Sequence, residues 1–486
     1  MRLHEYSSHD AISLAQLIRR GEVSATEIQR CALEAIDLLN PRLNFISGAV
    51  QRAPAWQEGK AFSGVPFLLK EGHGTQGFPL GMGSRLLAGL SVPQDNEMSR
   101  RLKNTGVALL AATTAPEFGA YPVTESSLHG ATRNPWNLDH SPGGSSGGAS
   151  AAVAAGVVPV AQTSDGGGSI RGPAHCTGLF GLKPSRGRTP HFSTLFGLDS
   201  WHVSSRTVRD SAAFLDLLHG AADGARFHIG RPERPYLDEV EREPGYLRIG
   251  ICRSAPLSVP LSAECLSAVD ATAKLLQGQG HHVEEASPKI AWTRFMQHFL
   301  NVWSHMLPLR VKMACAMLGR EASPGMLEAK TLQLMERGRG LGVEDLLLAE
   351  AAFEEARIAV DHYFRSYDLW LSPAGVSQAP RIGSLAPSDG AGSFDEYAVR
   401  ALDAYAAFTP LFNVSGHPAA SVPVIHGSNG LPVGLQFAAA MGQEATIFRI
   451  AGQLERAHPW IGRRPPHSIF APHVADSLKL EYRKQA

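Results

Sequence analysis

Residues 141–148 read SPGGSSGG, and residues 164–172 read SDGGGSIRG. Between these two loops, the small residues at 147–156 predict a helix packed closely on a sheet, and 157–161 predict a strand. One helix and one strand take the chain out and back, so both loops are expected at one edge of a sheet. Their glycines allow several backbone N–H groups to point at one spot, which is what a bound anion or oxyanion requires.

Each loop carries a candidate catalytic serine. Ser145 and Ser169 lie 24 residues apart. A carboxamide attacked by Ser169 would become an oxyanion, and the N–H groups of Gly166, Gly167, Gly168 and Ser169 itself could donate hydrogen bonds to it. A helix beginning at Ser169 would add its dipole to this stabilisation.

Three other interpretations of these loops compete with this one. A flexible Gly/Ser linker or tight turns would explain one such loop, but two loops framing an apolar helix and strand weaken that explanation. A phosphate-binding P-loop would end in GK[ST], which is missing here. Residues 143–147 also match the G-x-S-x-G nucleophile elbow, but that turn must follow a buried strand, and residues 134–142 cannot form one.

A nucleophilic serine needs a base, and Lys70 is the candidate. It ends the apolar run GVPFLL at 64–69, which predicts a buried strand. Catalytic groups commonly lie at strand ends of α/β sheets. A lysine taken alone is more often a solvated surface charge; Lys70 stands out because the serine loops have no obvious histidine partner.

The remaining periodicity predicts an α/β fold, with one large sheet covered by helices on both faces. Residues 290–366 interrupt the strand–helix alternation, and their long helical patterns predict an inserted cap. A stripe of aromatic and methionine side chains follows that segment, and ordinary core packing is its commoner explanation. The stripe consists of Trp292, Phe295, Phe299, Trp303, Met306, Met313 and Met317. Residues 372–393 predict an exposed loop, and the whole chain, 1–486, is expected to form a single domain.

Composition excludes several classes of protein. The 486 residues carry 45 Lys plus Arg and 45 Asp plus Glu, so the balanced charge gives no support for a nucleic-acid partner. No apolar stretch predicts a signal peptide or a membrane span. The five cysteines are scattered, which favours a reducing cytoplasm over a disulfide framework or a cysteine zinc site.

Residues 141–184 strongly resemble the amidase-signature family. The resemblance lies in SPGGSSGG, in DGGGSIR and in the following CTGLFGLKP at 176–184. It extends over most of the chain, including NPRLN at 40–44, VPFLLKEG at 65–72, and the C-terminal FNVSGHPAASVPV and GLPVGLQF. The forms of these motifs look most like the subgroup of cyclic-amide, aryl-amide and urethane-cleaving enzymes.

The resemblance implies a role for each candidate residue. Ser169 would be the acylated nucleophile, Ser145 would relay protons and follow a cis peptide bond, and Lys70 would be the base. The resemblance also implies three residues that support the two loops through hydrogen bonds, namely Ser146, Asp165 and Arg171. It further implies that Phe118 and Gly119, in the turn 117–119, lie beside the substrate carbonyl.

Two residues depart from the family pattern. Glu71 stands where the family usually has Asp, and Gly166 where it usually has a larger residue. Alternation along a strand predicts that Glu71 faces away from Lys70.

The function implied is a C–N hydrolase acting on a small-molecule amide, lactam, anilide or carbamate, with no metal or cofactor. The alternatives are the glutamine-hydrolysing component of a tRNA-dependent amidotransferase and a non-catalytic module with the same fold. The sequence does not define an oligomeric state.

Overall fold

A computed structural model describes residues 1–190, 196–402 and 407–470. Its strands are β1 Pro66–Lys70, β2 Ala108–Thr113, β3 Glu125–Ser126, β4 Gly130–Ala131, β5 Val160–Asp165, β6 Phe180–Lys183, β7 Ser200–Ser205, β8 Arg248–Ile251, β9 His282–Glu285, β10 Leu369–Pro373, β11 Ala419–His426 and β12 Pro432–Ala439. Ten of them form one mixed sheet in the order β2-β1-β5-β7-β6-β11-β12-β10-β8-β9, and β3 and β4 form a separate hairpin. The predicted α/β fold with a large mixed sheet flanked by helices is confirmed.

Helices occupy most of the chain between the strands. They are α1 Leu3–Ser8, α2 Ala11–Arg19, α3 Ala25–Leu43, α4 Glu97–Asn104, α5 Gly147–Ala154, α6 Arg171–Thr177, α7 Val208–Leu218, α8 Tyr236–Val240, α9 Ala263–Gly278, α10 Trp292–Leu318, α11 Ala329–Arg339, α12 Val343–Tyr363, α13 Phe394–Ala401, α14 Pro410–Ser415 and α15 Glu444–Ala457. In the part of the chain that the structure describes, no helix has the length and apolar character needed to cross a membrane.

Local sequence accounts for several of these elements. Ser24 caps α3 by accepting a hydrogen bond from the Glu27 N–H at 3.2 Å, and Glu27 accepts one from the Ser24 N–H at 2.9 Å. These reciprocal hydrogen bonds form a capping box. All residues of α5 are buried. They are Gly, Ala, Ser and Val, whose small side chains allow the helix to pack close to the sheet.

The order of the strands positions the candidate site. β1 pairs in parallel with β2 and with β5, so the ends of β1 and β5 lie at the same edge of the sheet. β7 pairs antiparallel with β5, and Asp165 is opposite Ser200. This register brings the residues just before β7 beside the glycines that follow β5.

The segment 290–366 forms three helices, α10, α11 and α12, of which α10 packs against both others. The predicted helical insertion is therefore present. The single-domain prediction for 1–486 includes residues outside the described ranges and stays a prediction.

The loop prediction for 372–393 needs a correction. Leu369–Pro373 is a strand, and the segment after it is irregular as expected, but it is not wholly exposed. Ala374, Val376 and Ala379 are buried, and Val376 and Ala379 belong to apolar clusters beneath the loop. Its Pro, Gly and Ser content predicted the irregular backbone and carried no information about this packing.

Candidate active site

Lys70 ends β1 with its side chain buried beside two serines. Its Nζ donates to Ser145 Oγ at 2.7 Å and to Ser164 Oγ at 3.0 Å. Ser145 belongs to the first glycine loop and Ser164 to the end of β5. The parallel pairing of β1 with β5 thus joins Lys70 to both loops, as the sequence predicted for Ser145; no sequence motif singles out Ser164.

Burial lowers the pKa of Lys70 to about 7. Desolvation disfavours the ammonium, and the charge of Arg310 acts in the same direction. The carboxylates of Asp199 and Asp165, and to a smaller extent Glu71, oppose this shift. A lysine with such a pKa is largely uncharged slightly above neutrality, and its neutral amine can accept a proton.

Glu71 directs its carboxylate into a separate set of contacts. Oε1 accepts hydrogen bonds from the N–H groups of Gly83 at 2.8 Å and Ala115 at 3.2 Å, and Oε2 lies 3.2 Å from His129 Nε2. Among the described contacts there is no ion pair between Glu71 and Lys70. This geometry agrees with the expectation that alternation turns the two side chains apart.

The first glycine loop holds Ser145 at a non-proline cis peptide bond between Gly144 and Ser145. Residues 133–146 before it contain no strand, so the nucleophile-elbow geometry is absent here as expected. Ser146 ties the loop to β5: its Oγ donates to the Ser164 carbonyl at 3.2 Å and accepts from the Ser164 N–H at 3.3 Å.

Ser169 differs from its neighbours in being partly exposed, whereas Lys70 and Ser145 are buried. It lies in the turn between β5 and α6, and α6 begins at Arg171. The helix therefore does not begin at Ser169, and a dipole contribution from that residue is not supported. Of the two candidate catalytic serines, Ser169 is the one that is partly exposed.

The glycine amides beside Ser169 are only partly available to an oxyanion. The Gly168 N–H donates to Asp165 Oδ1 at 2.7 Å, so it is engaged within the loop, contrary to the sequence expectation for this residue. The amides of Gly166, Gly167 and Ser169 hydrogen-bond to no acceptor among the described residues. These three amides stay candidates.

A buried ion pair between Asp165 and Arg171 supports the loop. Asp165 Oδ1 lies 2.9 Å from Arg171 Nη2 and accepts from Asn413 Nδ2 at 2.8 Å, and its Oδ2 accepts from the Ile170 N–H at 3.1 Å. Burial opposes ionisation of Asp165, but the Arg171 charge and these hydrogen bonds lower its pKa below the ordinary value. Two of the three predicted supporting residues, Asp165 and Arg171, are thus brought together here, and Asn413 of α14 joins them.

The turn 117–119 approaches the site from the other side. Phe118 and Gly119 have positive φ values of 52° and 64°. A Cβ on Gly119 would lie 3.4 Å from Ser145 Oγ, so this residue adjoins the site. The Phe118 side chain is buried, and its carbonyl accepts from Arg310 Nη1 at 3.2 Å.

Two cavities meet at Ser169. An inner chamber of about 100 Å³ is bordered by Lys70, Ser145, Ser169, Asp199 and Arg310. An outer cleft of about 370 Å³ also borders Ser169 and is lined chiefly by apolar side chains. Lys70 therefore lies on the inner side of Ser169, and space for a larger apolar group lies on the outer side.

The predicted stripe of α10 divides between these environments. Phe299 and Trp303 stack with ring centroids 5.6 Å apart and line the outer cleft, whereas Phe295 is core. Met313 and Met317 are exposed. The helical period correctly predicted that Phe299 and Trp303 lie on the same face of α10. The stripe as a whole is divided between the core, the wall of the outer cleft and the exposed surface.

Comparisons with known proteins agree with this geometry. The protein-family model named Amidase matches residues 27–448. A Mycobacterium tuberculosis (strain ATCC 25618 / H37Rv) protein that carries the name amidase AmiC is 35% identical over 477 residues, with 96% of this chain and 97% of that protein covered. The 6-aminohexanoate-cyclic-dimer hydrolase of Pseudomonas sp. (strain NK87) is 33% identical over 488 residues, with coverages of 94% and 96%.

Solved structures extend the comparison to the fold. A structure of 6-aminohexanoate cyclic dimer hydrolase superimposes with a TM-score of 0.89 at 31% identity, covering 95% of this chain and 99% of that one. The matched residues 27–448 include all of the site from Lys70 to Asn413. The chain therefore belongs to the amidase family, as the two serine–glycine loops indicate.

Proposed function

We propose that this amidase hydrolyses carboxamide or related bonds through an acyl-enzyme on Ser169, with Ser145 as proton relay and Lys70 as base. The observation that carries the proposal is the hydrogen bond of 2.7 Å between a buried Lys70 with a lowered pKa and Ser145, beside the reachable Ser169. A neutral lysine and two hydroxyls are sufficient to move a proton from nucleophile to leaving group.

The proposed reaction proceeds in two halves. Lys70 takes a proton from Ser145 as Ser145 takes one from Ser169, and Ser169 Oγ bonds to the substrate carbonyl carbon. The C–N bond breaks, the proton returns through Ser145 to the leaving nitrogen, and an amine departs. Water then attacks the ester under the same base, and the acid is released with Ser169 restored.

The oxyanion of each half would be stabilised by backbone amides. Gly166, Gly167 and Ser169 are the proposed donors, because the Gly168 N–H is already bonded to Asp165. Asp165 and Arg171 hold this loop from beneath, and Ser146 holds the loop of Ser145, so the proposed roles of these three are positional.

The outer cleft favours substrates with an apolar or aromatic part. Phe299 and Trp303 line it, and about 370 Å³ accommodates an aryl or alkyl group. We therefore include anilides, lactams and aryl carbamates in the proposed substrate class, making urethane cleavage one of its expected activities. Because relatives of this chain are named 6-aminohexanoate cyclic dimer hydrolases, we also include cyclic amides in the proposed substrate class.

The glutamine-hydrolysing alternative has weaker support. The structure of a glutamyl-tRNA(Gln) amidotransferase chain from Thermotoga maritima has 24% identity and a TM-score of 0.76, a likeness of fold alone. Free glutamine has no apolar group to occupy the outer cleft.

The proposed location of the enzyme is the reducing cytoplasm. All five cysteines are free and buried, which agrees with that location.

The test combines a substrate screen with active-site labelling. The intact enzyme is assayed on a nitroanilide, an aryl carbamate, 6-aminohexanoate cyclic dimer and glutamine, and we expect the largest kcat/KM on one of the first three. A fluorophosphonate adduct seen by intact mass should disappear in Ser169→Ala and persist in Ser254→Ala, a matched control at an exposed serine. An adduct that persists in Ser169→Ala contradicts the nucleophile, and a larger kcat/KM for glutamine contradicts the substrate class.

A further inference from the structure

Asp199 is a carboxylate of the inner chamber that neither the proposed proton path nor the loop support uses. It immediately precedes β7, whose pairing with β5 places it beside the glycines after Asp165. A Cβ at Gly166 would lie 2.5 Å from Asp199 Oδ1. Glycine at 166, one of the two departures from the family pattern, thus leaves the space that this carboxylate occupies.

Arg310 brings a positive charge to the same chamber from the inserted helix α10. Its Nη2 lies 3.4 Å from Asp199 Oδ2, and its Nη1 donates to the Phe118 carbonyl at 3.2 Å. The arginine therefore connects three separate segments: α10, the turn 117–119 and the start of β7. Both members of the pair are about a quarter exposed, at 27% and 22% of the side chain.

The other charged groups around Lys70 have partners of their own. Asp165 is paired with Arg171 at 2.9 Å, and Glu71 accepts from two backbone amides and contacts His129. His73 stacks on Trp201 with centroids 4.4 Å apart, and burial lowers its pKa to about 3, so it stays neutral. Asp199 and Arg310 are thus the charged pair of the inner chamber that the proposed mechanism does not use.

We propose that Asp199 and Arg310 are positioning residues for the base: each charge offsets the effect of the other on how readily Lys70 gives up its proton, so that the inserted helix takes part in preparing the active site. The inference rests on the proposed function, because it assigns Lys70 as the base. The carboxylate alone would hold Lys70 as an ammonium, and the guanidinium offsets that effect. This agrees with the opposite directions in which the two groups act on the pKa of Lys70.

The experiment is the pH dependence of kcat on a nitroanilide for the intact enzyme and its variants. Arg310→Gln should raise the midpoint of the alkaline rise by at least about half a pH unit, and Asp199→Asn should lower it by a similar amount. At a fixed pH below the midpoint, kcat relative to its plateau should therefore fall about threefold or more in the first variant and rise in the second. The double variant should return close to the parent midpoint.

Three further measurements separate this role from a structural one. Arg310→Lys, which keeps the charge, should retain the parent midpoint even if its plateau is lower. Arg294→Gln removes an arginine of the same helix whose partner, Glu355, lies at the surface, and its midpoint should not move. Since the Asp199–Arg310 pair is partly exposed, 1 M NaCl should reduce the shifts.

Midpoints that stay fixed while plateau rates fall, or that move in the same direction in both single variants, would overturn the inference. The proposed function fails in a different way: the parent would lack the alkaline rise, or Lys70→Ala would keep the parent kcat.

Discussion

Replacing Asp165 with Asn tests the buried ion pair beneath the nucleophile loop. The carboxylate is fully buried and accepts hydrogen bonds from three backbone amides, from the Arg171 side chain and from Asn413. Asparagine keeps the size but turns one acceptor into a donor that faces these donors. It also leaves the buried Arg171 guanidinium without its counter-charge.

The expected cost follows from these contacts. Removing one partner of a buried ion pair costs about 3–5 kcal/mol. The free energy of unfolding should therefore fall by about that amount in denaturant titrations. Because Asp165 holds the Gly168 N–H and the start of α6, kcat should also fall by roughly 10²–10³, the loss typical of a disturbed oxyanion site.

The pH dependence has a defined sign. The pKa of Asp165 is lower in the folded protein than in the unfolded chain, so its stabilisation is present above the unfolded pKa of about 3.9 and is lost as pH falls further. The stability gap between parent and Asp165→Asn should thus narrow in acid.

Asp139→Asn, at an exposed site, is the control and should lie within about 0.5 kcal/mol of the parent. An Asp165→Asn enzyme within about 1 kcal/mol of the parent, with normal kcat, would refute the role assigned to the pair.

Three more variants test the site. With the pKa of Lys70 at about 7, kcat should rise with pH through that value. Lys70→Ala should lower kcat by about 10²–10⁴, and Lys70→Arg should not restore it because a guanidinium stays protonated. Near-parent kcat in either variant would exclude Lys70 as the base. Gly168→Ala should lower the free energy of unfolding by about 1–3 kcal/mol, because φ is +132° and the new Cβ would lie 2.3 Å from Thr409 Oγ1. Gly21→Ala is the control for this clash, since Gly21 has a φ of +69° and no neighbouring atom near the new Cβ. Equal losses in the two variants would contradict the predicted clash. Phe299→Ala should reduce kcat/KM for a nitroanilide about tenfold more than for a small aliphatic amide, and equal losses on both would show that the ring does not contact the aryl group.

The sequence predicted those parts of the fold whose pattern is local. β1 and the helix between the two serine loops follow from an apolar and a small-residue run, although β5 begins at Val160, later than expected. β7 escaped prediction because SWHVSS places serines inside the sheet, and β9 because HVEE is a short, largely exposed edge strand. Whether such segments form strands depends on their burial by distant parts of the chain, and local composition carries no information about that burial.

The candidate site divides in the same way. Lys70 could be chosen because it ends an apolar run, and Ser145 and Ser169 because each lies in a recognisable glycine loop. Asp199 and Arg310 carry no local signal: they lie 111 residues apart, and only the sheet register and the fold of α10 bring them together. The engagement of the Gly168 amide also depends on a φ that the letters GGG leave undetermined.

The close approach of Asp199 to Gly166 constrains how this enzyme can diverge. A side chain at 166 and a carboxylate at 199 compete for one volume, so the effect of a mutation at either position depends on the residue at the other. Gly166→Ala should harm the parent yet be tolerated after Asp199→Gly, so that the effects of the two substitutions are not additive. A library that randomises position 166 alone keeps the Asp199 carboxylate against every new side chain, whereas a library that also varies position 199 removes that contact.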